Sequence, residues 1–428
     1  MKLSSPLLPF LLVLLMVLQL LVPNQAWTIL LVGLGGVWLI CWLWARALVR
    51  SLDLQREMRF GWAQVGDQLE ERFTLSNRSL FPALWVEVHD HSTLPAYDAS
   101  AATGIGGQEE NRWTVKSVCT RRGAFRIGPT TVQTGDPFGL YRVTLEYPAS
   151  VTMMVMPPVV PLPDIQVASG GRIGEGREQI NTFERTVTAS AVRDYAPGDS
   201  TSSIHWRTSA HRDGLFVKMF DSTPTSDWWI VLDLDQQVQV GELDGSTMEN
   251  GIILAASLAD RGIRSRRAVG LVAFGQELVW LPPQQGEAQR WEILRALALV
   301  APGSHPLGEL LTQVQPSLGR RASFILVTPD VKGEWVQALL RLRWQGLVPT
   351  VLLLDPVSFT GGQSAHPPKL LDLLAEQGIT RHAFTRDLFN QPEAHPGQEG
   401  RWDWRVSATG KARALHAPRE TGWRPLSR

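Results

Sequence analysis

Cysteine is nearly absent from this chain: Cys41, inside an apolar run, and Cys119 are the only two in 428 residues. Two thiols so far apart build neither a disulfide framework nor a cysteine-rich metal site, and they are compatible with a reducing compartment. Net charge is missing too. Lys and Arg number 41 and Asp and Glu number 41, so no global field points to nucleic acid or to an acidic substrate. Low-complexity tracts are also lacking. With 44% hydrophobic and 19% charged residues the chain reads as globular, long enough for two or three domains that each bury a core. Several motifs of enzymes are absent as well: no Gly-x-Ser-x-Gly elbow, His-Glu-x-x-His zinc helix or Walker loop occurs. The run from Gly170 to Gly176 (GGRIGEG) is glycine-rich, but it follows no clear strand and lacks the Lys-Ser/Thr of a phosphate loop.

What is present begins with two apolar runs, residues 6–22 and 26–45, uncharged until Arg46. Each is near the roughly 20 residues that a helix needs to cross a bilayer. Pro23-Asn24-Gln25 between them has room only for a tight hairpin. Lys2 precedes the first run and Arg46, Arg50, Arg56 and Arg59 follow the second, so the positive-inside rule places both ends in the cytoplasm. A secretory leader also starts with a basic residue and an apolar run. Asn24-Gln25-Ala26 is a poor cleavage site, however, and a second span follows at once, so an uncleaved transmembrane hairpin (1–50) is expected. Trp27, Trp38, Trp42 and Trp44 then read as interfacial anchors or lipid-facing bulk.

Residues 51–160 carry short alternating runs between turns: Gln68–Ser76, Ala83–His89, Arg112–Cys119, Ala124–Ile127, Thr130–Thr134 and Leu140–Tyr147. This spacing predicts an antiparallel β-sandwich. At Gly135-Asp-Pro-Phe-Gly-Leu140 a sharp turn is expected to fold Phe138 back as a plug. The proline-rich run from Met156 to Pro163 reads as an extended connector, part of a linking segment over 161–222.

Over 223–390 the pattern changes to buried-type strands (Trp228–Leu234, Ala268–Phe274, Ala322–Thr328, Pro349–Leu354) alternating with helical spacing (Met248–Arg261, Glu287–Val300, Leu307–Val314, Glu334–Gln345, Lys369–Gln377), with Ile379–Phe384 as a candidate last strand. Such alternation predicts a doubly wound parallel α/β sheet. Residues 391–428 hold seven Lys and Arg against four Asp and Glu and read as a flexible basic tail able to brush anionic lipid.

The run Arg193-Asp194-Tyr195-Ala-Pro-Gly198-Asp199-Ser-Thr-Ser-Ser-Ile-His205-Trp206-Arg207 joins a type II turn signal at Pro197-Gly198 to candidate N-caps for a short helix holding Ile204, His205 and Trp206. Its charges are placed to form a polar knot, Arg193 and Asp194 pairing with Asp199 and Arg207. The run resembles the signature of the bacterial membrane proteins called the domain of unknown function 58 family. Arg121-Arg-Gly-Ala-Phe-Arg-Ile-Gly-Pro129 and the Asp136-Pro-Phe-Gly-Leu140 corner resemble the same family.

The resemblance implies a von Willebrand factor A-like α/β domain. The metal-ion-dependent adhesion site of such domains uses an Asp-x-Ser-x-Ser loop, a distant Thr and a distant Asp around magnesium, a cation that wants about six oxygen ligands. Asp233 and Asp330 match its two aspartates. Asp235 and Gln237 stand where serines belong, and Ser304 stands near the threonine position, so the expected site of Asp233, Asp235, Ser304 and Asp330 is a degenerate one. Acidic side chains at the carboxyl ends of strands are in any case placed for binding. The family further implies a non-enzymatic adaptor in the bacterial inner membrane, with the bulk of the chain cytoplasmic, working with a MoxR-type AAA+ ATPase on other protein complexes. Lipid is the other expected partner, and neither nucleic acid nor a small-molecule substrate is expected. Two rival readings are a membrane-bound hydrolase, using His205 with Asp199 and Ser203 or Ser209, and an exported metal-dependent adhesin.

Overall fold

The structure, a computed structural model, describes residues 1–59, 61–163, 165–168, 191–196, 204–211, 214–219, 227–315, 322–361, 369–386, 403–406, 412–416 and 424–426. The chain opens with a two-residue strand, β1 (Lys2–Leu3), and two helices, α1 (Leu7–Leu21) and α2 (Gln25–Ser51), which pack on each other. Asn24 starts α2 by accepting a hydrogen bond from the Ala26 amide at 3.0 Å, the usual service of an N-cap asparagine. Only α2 is long and apolar enough to cross a membrane among the described residues. α1, at 15 residues, rises about 22 Å.

Ten strands follow: β2 (Leu52–Met58), β3 (Trp62–Gln64), β4 (Gln68–Asn77), β5 (Ala83–Asp90), β6 (Ala101–Ile105), β7 (Glu109–Val118), β8 (Gly123–Ile127), β9 (Thr130–Gly135), β10 (Tyr141–Tyr147) and β11 (Val151–Met156). They form three sheets, ordered β1-β10-β9-β5-β6, β2-β4-β7 and β3-β11-β8. Leu54, Phe73, Val86, Val132, Ile127 and Val155 contribute to one shared core. Alternation produces this directly: on β4, Leu69, Phe73 and Leu75 point inward while Glu70 and Arg72 lie nearer solvent. The sheets are antiparallel except for β3–β11, which is parallel.

Two expectations about single residues fail here. Phe138 is no plug but stands 69% exposed, because buried Asp136 accepts hydrogen bonds from the Phe138 and Tyr141 amides and so holds the turn itself. Trp44 is half-buried rather than lipid-facing, donating its indole N–H to the Pro82 carbonyl at 2.9 Å with its ring against Phe81.

The sandwich core also holds a charged cluster. Arg56 on β2 donates to Glu71 on β4 at 2.6 Å and to Asp90 on β5 at 2.7 Å, so it ties two sheets together. Thr130, Ser92 and Tyr97 accept its remaining bonds, and the Tyr97 hydroxyl also donates to Glu71.

Past β11 the proline-rich stretch lies along the α/β domain. The Val160 amide donates to Ser257 Oγ and the Ala168 amide to Thr350 Oγ1, while Ile165 is buried. The signature supplies β12 (Ala191–Asp194), α3 (Trp206–Ser209) and β13 (Phe216–Met219). The remaining elements are β14 (Trp228–Asp233), α4 (Thr247–Arg264), β15 (Val269–Phe274), β16 (Leu278–Gln284), α5 (Glu287–Leu299), α6 (Leu307–Val314), β17 (Ser323–Thr328), α7 (Val336–Trp344), β18 (Val348–Leu354), α8 (Pro356–Phe359), α9 (Lys369–Glu376) and β19 (Thr380–Phe384).

Their six-stranded sheet has the order β16-β15-β14-β17-β18-β19, parallel except for the antiparallel edge strand β16. Counted along the domain this is 3-2-1-4-5-6, a doubly wound order. Period two sorts β14 onto both covered faces: Trp228, Ile230 and Leu232 enter one core, Trp229 and Val231 the other. The α/β domain joins the sandwich through Arg122, which donates to Glu249 on α4 and to the Val300 carbonyl at 2.8 Å each, and through an edge-on Trp62–Trp291 contact at 4.6 Å.

Of the expected flexible tail, most lies outside the described residues. Its described parts are a hairpin of β20 (Asp403–Val406) and β21 (Ala412–His416), and β22 (Arg424–Pro425), which pairs with the edge of β2. The tail is therefore not free throughout: the Leu426 amide donates to the Arg56 carbonyl at 2.9 Å, since an edge strand offers unpaired backbone groups to any segment that reaches it.

Candidate functional site

The carboxyl ends of β14 and β17 and the loops beside them form one rim, and the rim collects the acidic residues singled out by sequence. Asp233 closes β14 and is 2% exposed. Its Oδ2 accepts from the Thr328 hydroxyl of β17 at 2.6 Å and its Oδ1 from the Asp235 amide at 3.1 Å. The chain then bridges to a neighbouring loop, where Gln236 N donates to Gly303 O at 2.8 Å and Gly303 N to Leu234 O at 3.0 Å. Asp235 Oδ1 accepts from the Gln237 amide at 3.0 Å, and Asp330 Oδ1 from the Lys332 amide at 2.7 Å. Thr328 completes the relay by accepting from the Asp330 amide at 2.9 Å.

These bonds show what the rim carboxylates do within the fold. Each of the three carboxylates is engaged by an amide of its own loop, Asp233 by a hydroxyl as well, and Ser304 is exposed beside the Asp235–Gly303 bridge. Among the described residues no three His, Cys, Asp or Glu side chains are arranged to hold an ion. The four residues expected from the sequence do come to one rim, and each of the three carboxylates also closes a turn of its own loop.

Burial, followed by the nearby charges of Asp330 and Asp235, pushes the Asp233 carboxyl up to about 6 from 3.8, against the bonds from Thr328 and Asp235 that lower it. Burial likewise raises Asp330, opposed by the Lys332 amide and charge. Between pH 3.8 and about 6 the folded chain therefore holds the Asp233 proton while the unfolded chain has released it. Stability contributed by this group falls as pH rises through that window, by on the order of 3 kcal/mol. Asp233→Asn is expected to remove that part of the slope, which the thermal transition of the α/β domain, followed in the detergent-solubilised protein at pH 4.5 and 7.5, would read as a smaller pH-dependent shift than in the wild type. An unchanged shift would mean that Asp233 ionises as freely folded as unfolded.

Glycines make the rim possible. A Cβ on Gly303 would lie 2.2 Å from the Gly275 carbonyl oxygen, and one on Gly275 would lie 1.8 Å from the Ala301 oxygen. His305 stacks on Phe274 at 3.7 Å and 8° and faces Glu309 at 3.7 Å. Thr328, Gly275, Gly303 and His305 carry no motif that marks them, because each meets its partner across strands distant in sequence.

The signature folds into a separate small unit. β12 pairs with β13, placing Arg193 opposite Val217 and Asp194 opposite Phe216, and Ile204 bridges to Val217. The Tyr195 amide donates to the Leu215 carbonyl and the His205 amide to the Phe216 carbonyl, both at 2.8 Å. The N-cap of α3 is His205: its Nδ1 accepts from the Thr208 amide at 3.2 Å and lies 2.7 Å from the Thr208 hydroxyl. Ile204 and His205 thus precede the helix they were expected to occupy. Trp206 is 65% exposed and Arg207 is exposed.

Of the residues named for a hydrolase, Ser209 accepts from the Phe216 amide at 2.9 Å and His205 caps a helix. Asp199 and Ser203, with Gly198 and the side chain of Arg193, lie outside the described residues, and so does the pairing of the polar knot.

Comparison with known proteins gives a family and a relative. The pattern of the family described as "Protein of unknown function DUF58" matches residues 191–359. A Bacillus subtilis (strain 168) protein described as "Uncharacterized protein YeaD" is 24% identical over 312 residues, 69% of this chain and 73% of the relative. Among solved structures, an aerotolerance-related membrane protein from Bacteroides fragilis is 16% identical with a TM-score of 0.25, covering 45% of this chain and 82% of its own. The CARDB domain of the PF1109 protein from Pyrococcus furiosus, in complex with di-metal ions, is 16% identical with a TM-score of 0.19, covering 24% and 94%.

Proposed function

This chain belongs through residues 191–359 to the DUF58 family, and from that premise we propose that it is a membrane-anchored, non-enzymatic scaffold whose α/β rim receives a soluble protein partner. The observation that carries the reading is an unbroken series of packed joints from the apolar hairpin to the rim. α2 buries Cys41, Ala45 and Leu48 at the sandwich, the first two against Tyr141 and Val143 of β10. Arg122 and Trp62 then fix the sandwich to α4 and α5. A rim so mounted stands at a set place relative to the bilayer. Its carboxylates are engaged within their own loops, and Gln236, Gln237 and Ser304 are left facing solvent.

The hairpin is read as two passes because β1 and the end of α2 both lie on β10, which puts both ends on one side. Lys2, Arg46 and Arg50 support that side being the cytoplasm of a bacterial inner membrane. The doubly wound order and the acidic rim support a von Willebrand factor A-like domain, and the family resemblance supports a MoxR-type AAA+ ATPase as the partner.

The test is co-purification of the detergent-solubilised full chain with a MoxR-type ATPase of the same cell, with and without magnesium and ATP. Wild type is expected to retain the ATPase and the Gln237→Arg/Ser304→Arg chain to lose it, both substitutions being on exposed side chains. Equal retention by both would move the contact off the rim, and no retention by either would remove this partner.

A further inference from the structure

We infer that the turn between β9 and β10, with Phe138 at its tip and Lys2 and Arg142 beside it, is a bilayer-docking surface that beds the sandwich in the headgroup layer of an anionic membrane. The inference rests on the reading of the hairpin as a membrane insert, and it adds that the sandwich itself touches lipid.

The argument is one of length. On its outer face α2 stays apolar and exposed through Leu39, Ile40, Trp42 and Leu43, and its first charge is Arg46. From Gln25 to Leu43 the helix rises about 28 Å, close to the roughly 30 Å of a hydrocarbon core. The opposite face of the same stretch is already covered by the sandwich. Cys41 packs with Tyr141 and Val143, and the Trp38 indole and Tyr141 hydroxyl are hydrogen-bonded. Only the part from Gln25 to Trp38, about 21 Å, projects beyond this contact, and α1 spans a similar about 22 Å. A hairpin that fills the core therefore draws the Tyr141 end of the sandwich about 8 Å toward the acyl chains.

That end is built for it. Phe138 is 69% exposed on a turn that Asp136 locks from within, so the ring is presented rather than flexibly hidden. Asp136 is the only acid between Thr130 and Leu145, and it is buried. Lys2 and Arg142 are exposed cross-strand neighbours at the same level. Long basic side chains reach back toward phosphates while their stems lie in apolar surroundings, and anionic lipid attracts them. An aromatic flanked by cations and free of exposed acid matches a phospholipid interface in both polarity and charge.

The experiment uses the full chain reconstituted into phosphatidylcholine vesicles with and without phosphatidylglycerol. Because Cys41 and Cys119 are both buried, a maleimide carrying the nitrobenzoxadiazole fluorophore can be directed to one introduced thiol. Phe138→Cys places the aromatic label where the phenyl stood, Lys116→Cys marks the far end of the sandwich, and Val32→Cys marks the exposed middle of α2.

The label at 138 is expected to lose about half its emission to lipids spin-labelled high on the acyl chain and to be shielded from aqueous iodide, while the label at 116 behaves in the opposite way. Adding Lys2→Gln/Arg142→Gln is expected to abolish any gain in lipid quenching brought by phosphatidylglycerol. If position 32 is quenched by lipid while 138 responds like 116, the docking surface is overturned and the hairpin stands. If iodide reaches position 32 and lipid does not, the membrane hairpin itself is wrong and the docking surface falls with it. Quenching at 138 that ignores both phosphatidylglycerol and the double substitution overturns the anionic preference.

Discussion

Replacing Arg56 by methionine is expected to lower the stability of the β-sandwich by about 3–5 kcal/mol, more than any exposed substitution in the chain. The Arg56 side chain is 6% exposed, and those of its partners Glu71 and Asp90 are 0% and 2% exposed. Methionine fills much of the same volume beside Phe73, over whose ring the guanidinium sits at 5.0 Å, but it leaves two carboxylates buried without their counter-ion. Burial already pushes the Glu71 carboxyl up while Arg56 pulls it back, so removing Arg56 drives Glu71 toward protonation. Tyr97, Thr130 and Ser92 lose a donor at the same time.

Neutralising the acids together with the arginine, as Arg56→Met/Glu71→Gln/Asp90→Asn, is expected to recover part of the loss, because an uncompensated buried charge is worse than no charge. Hydrogen exchange of the β4 amides in the intact detergent-solubilised chain reads both effects within the sandwich, which matters in a multidomain protein whose overall unfolding is not one transition. A change below about 1 kcal/mol for Arg56→Met would mean that water reaches the cluster and screens it.

The second large effect is expected at the rim. Gly303→Ala should cost about 3 kcal/mol locally, since its Cβ would lie 2.2 Å from the Gly275 carbonyl oxygen and 2.3 Å from the Gly275 carbonyl carbon. Backbone stands on both sides of the clash, so no side chain can swing away. The loop must retreat, and with it go the bonds that tie Gly303 to Leu234 and Gln236, hence the placement of Asp235.

Gly308→Ala is the matched control. It lies in α6 with its nearest Cβ neighbour, Trp335 Cα, at an ordinary 3.8 Å, and alanine there is expected to stabilise by up to about 1 kcal/mol through helix propensity. Amide exchange over 233–237 should accelerate in Gly303→Ala and stay unchanged in Gly308→Ala. Equal protection in the two would show that the loop carrying Gly303 bends without cost, and the rim would then be softer than its bonds imply.

The two glycines also mark where sequence reading stops. Pro302-Gly-Ser304 announces a turn, but nothing near it in the chain says that its backbone lies against that of Gly275. Arg56 is similar: its partners sit at 71, 90, 92, 97 and 130, spread over several strands and loops, and no spacing in the sequence groups them. β16 escaped notice because Pro282-Pro283 argues against a strand. It survives as the antiparallel edge of its sheet, where missing N–H donors are tolerated. β2 was hidden by its charges, one of which, Arg56, points inward.

Properties that repeat along the chain were determined by the sequence alone. The uncharged runs before Arg46, the alternation in β4 and β10, the apolar strands β14, β15, β17 and β18 and the helical spacing of α4 and α5 all lie close to where their periodicity put them, because burial acts on each segment through its own pattern. Only the tertiary structure decided how the acids of the rim are used, which face of α2 the sandwich covers, that Phe138 faces outward and that the end of the tail pairs with β2. Each of these depends on contacts between residues distant in sequence. The physical reason is that a side chain's hydrogen-bond partner, unlike its periodicity, is chosen by whatever the fold brings within about 3 Å of it.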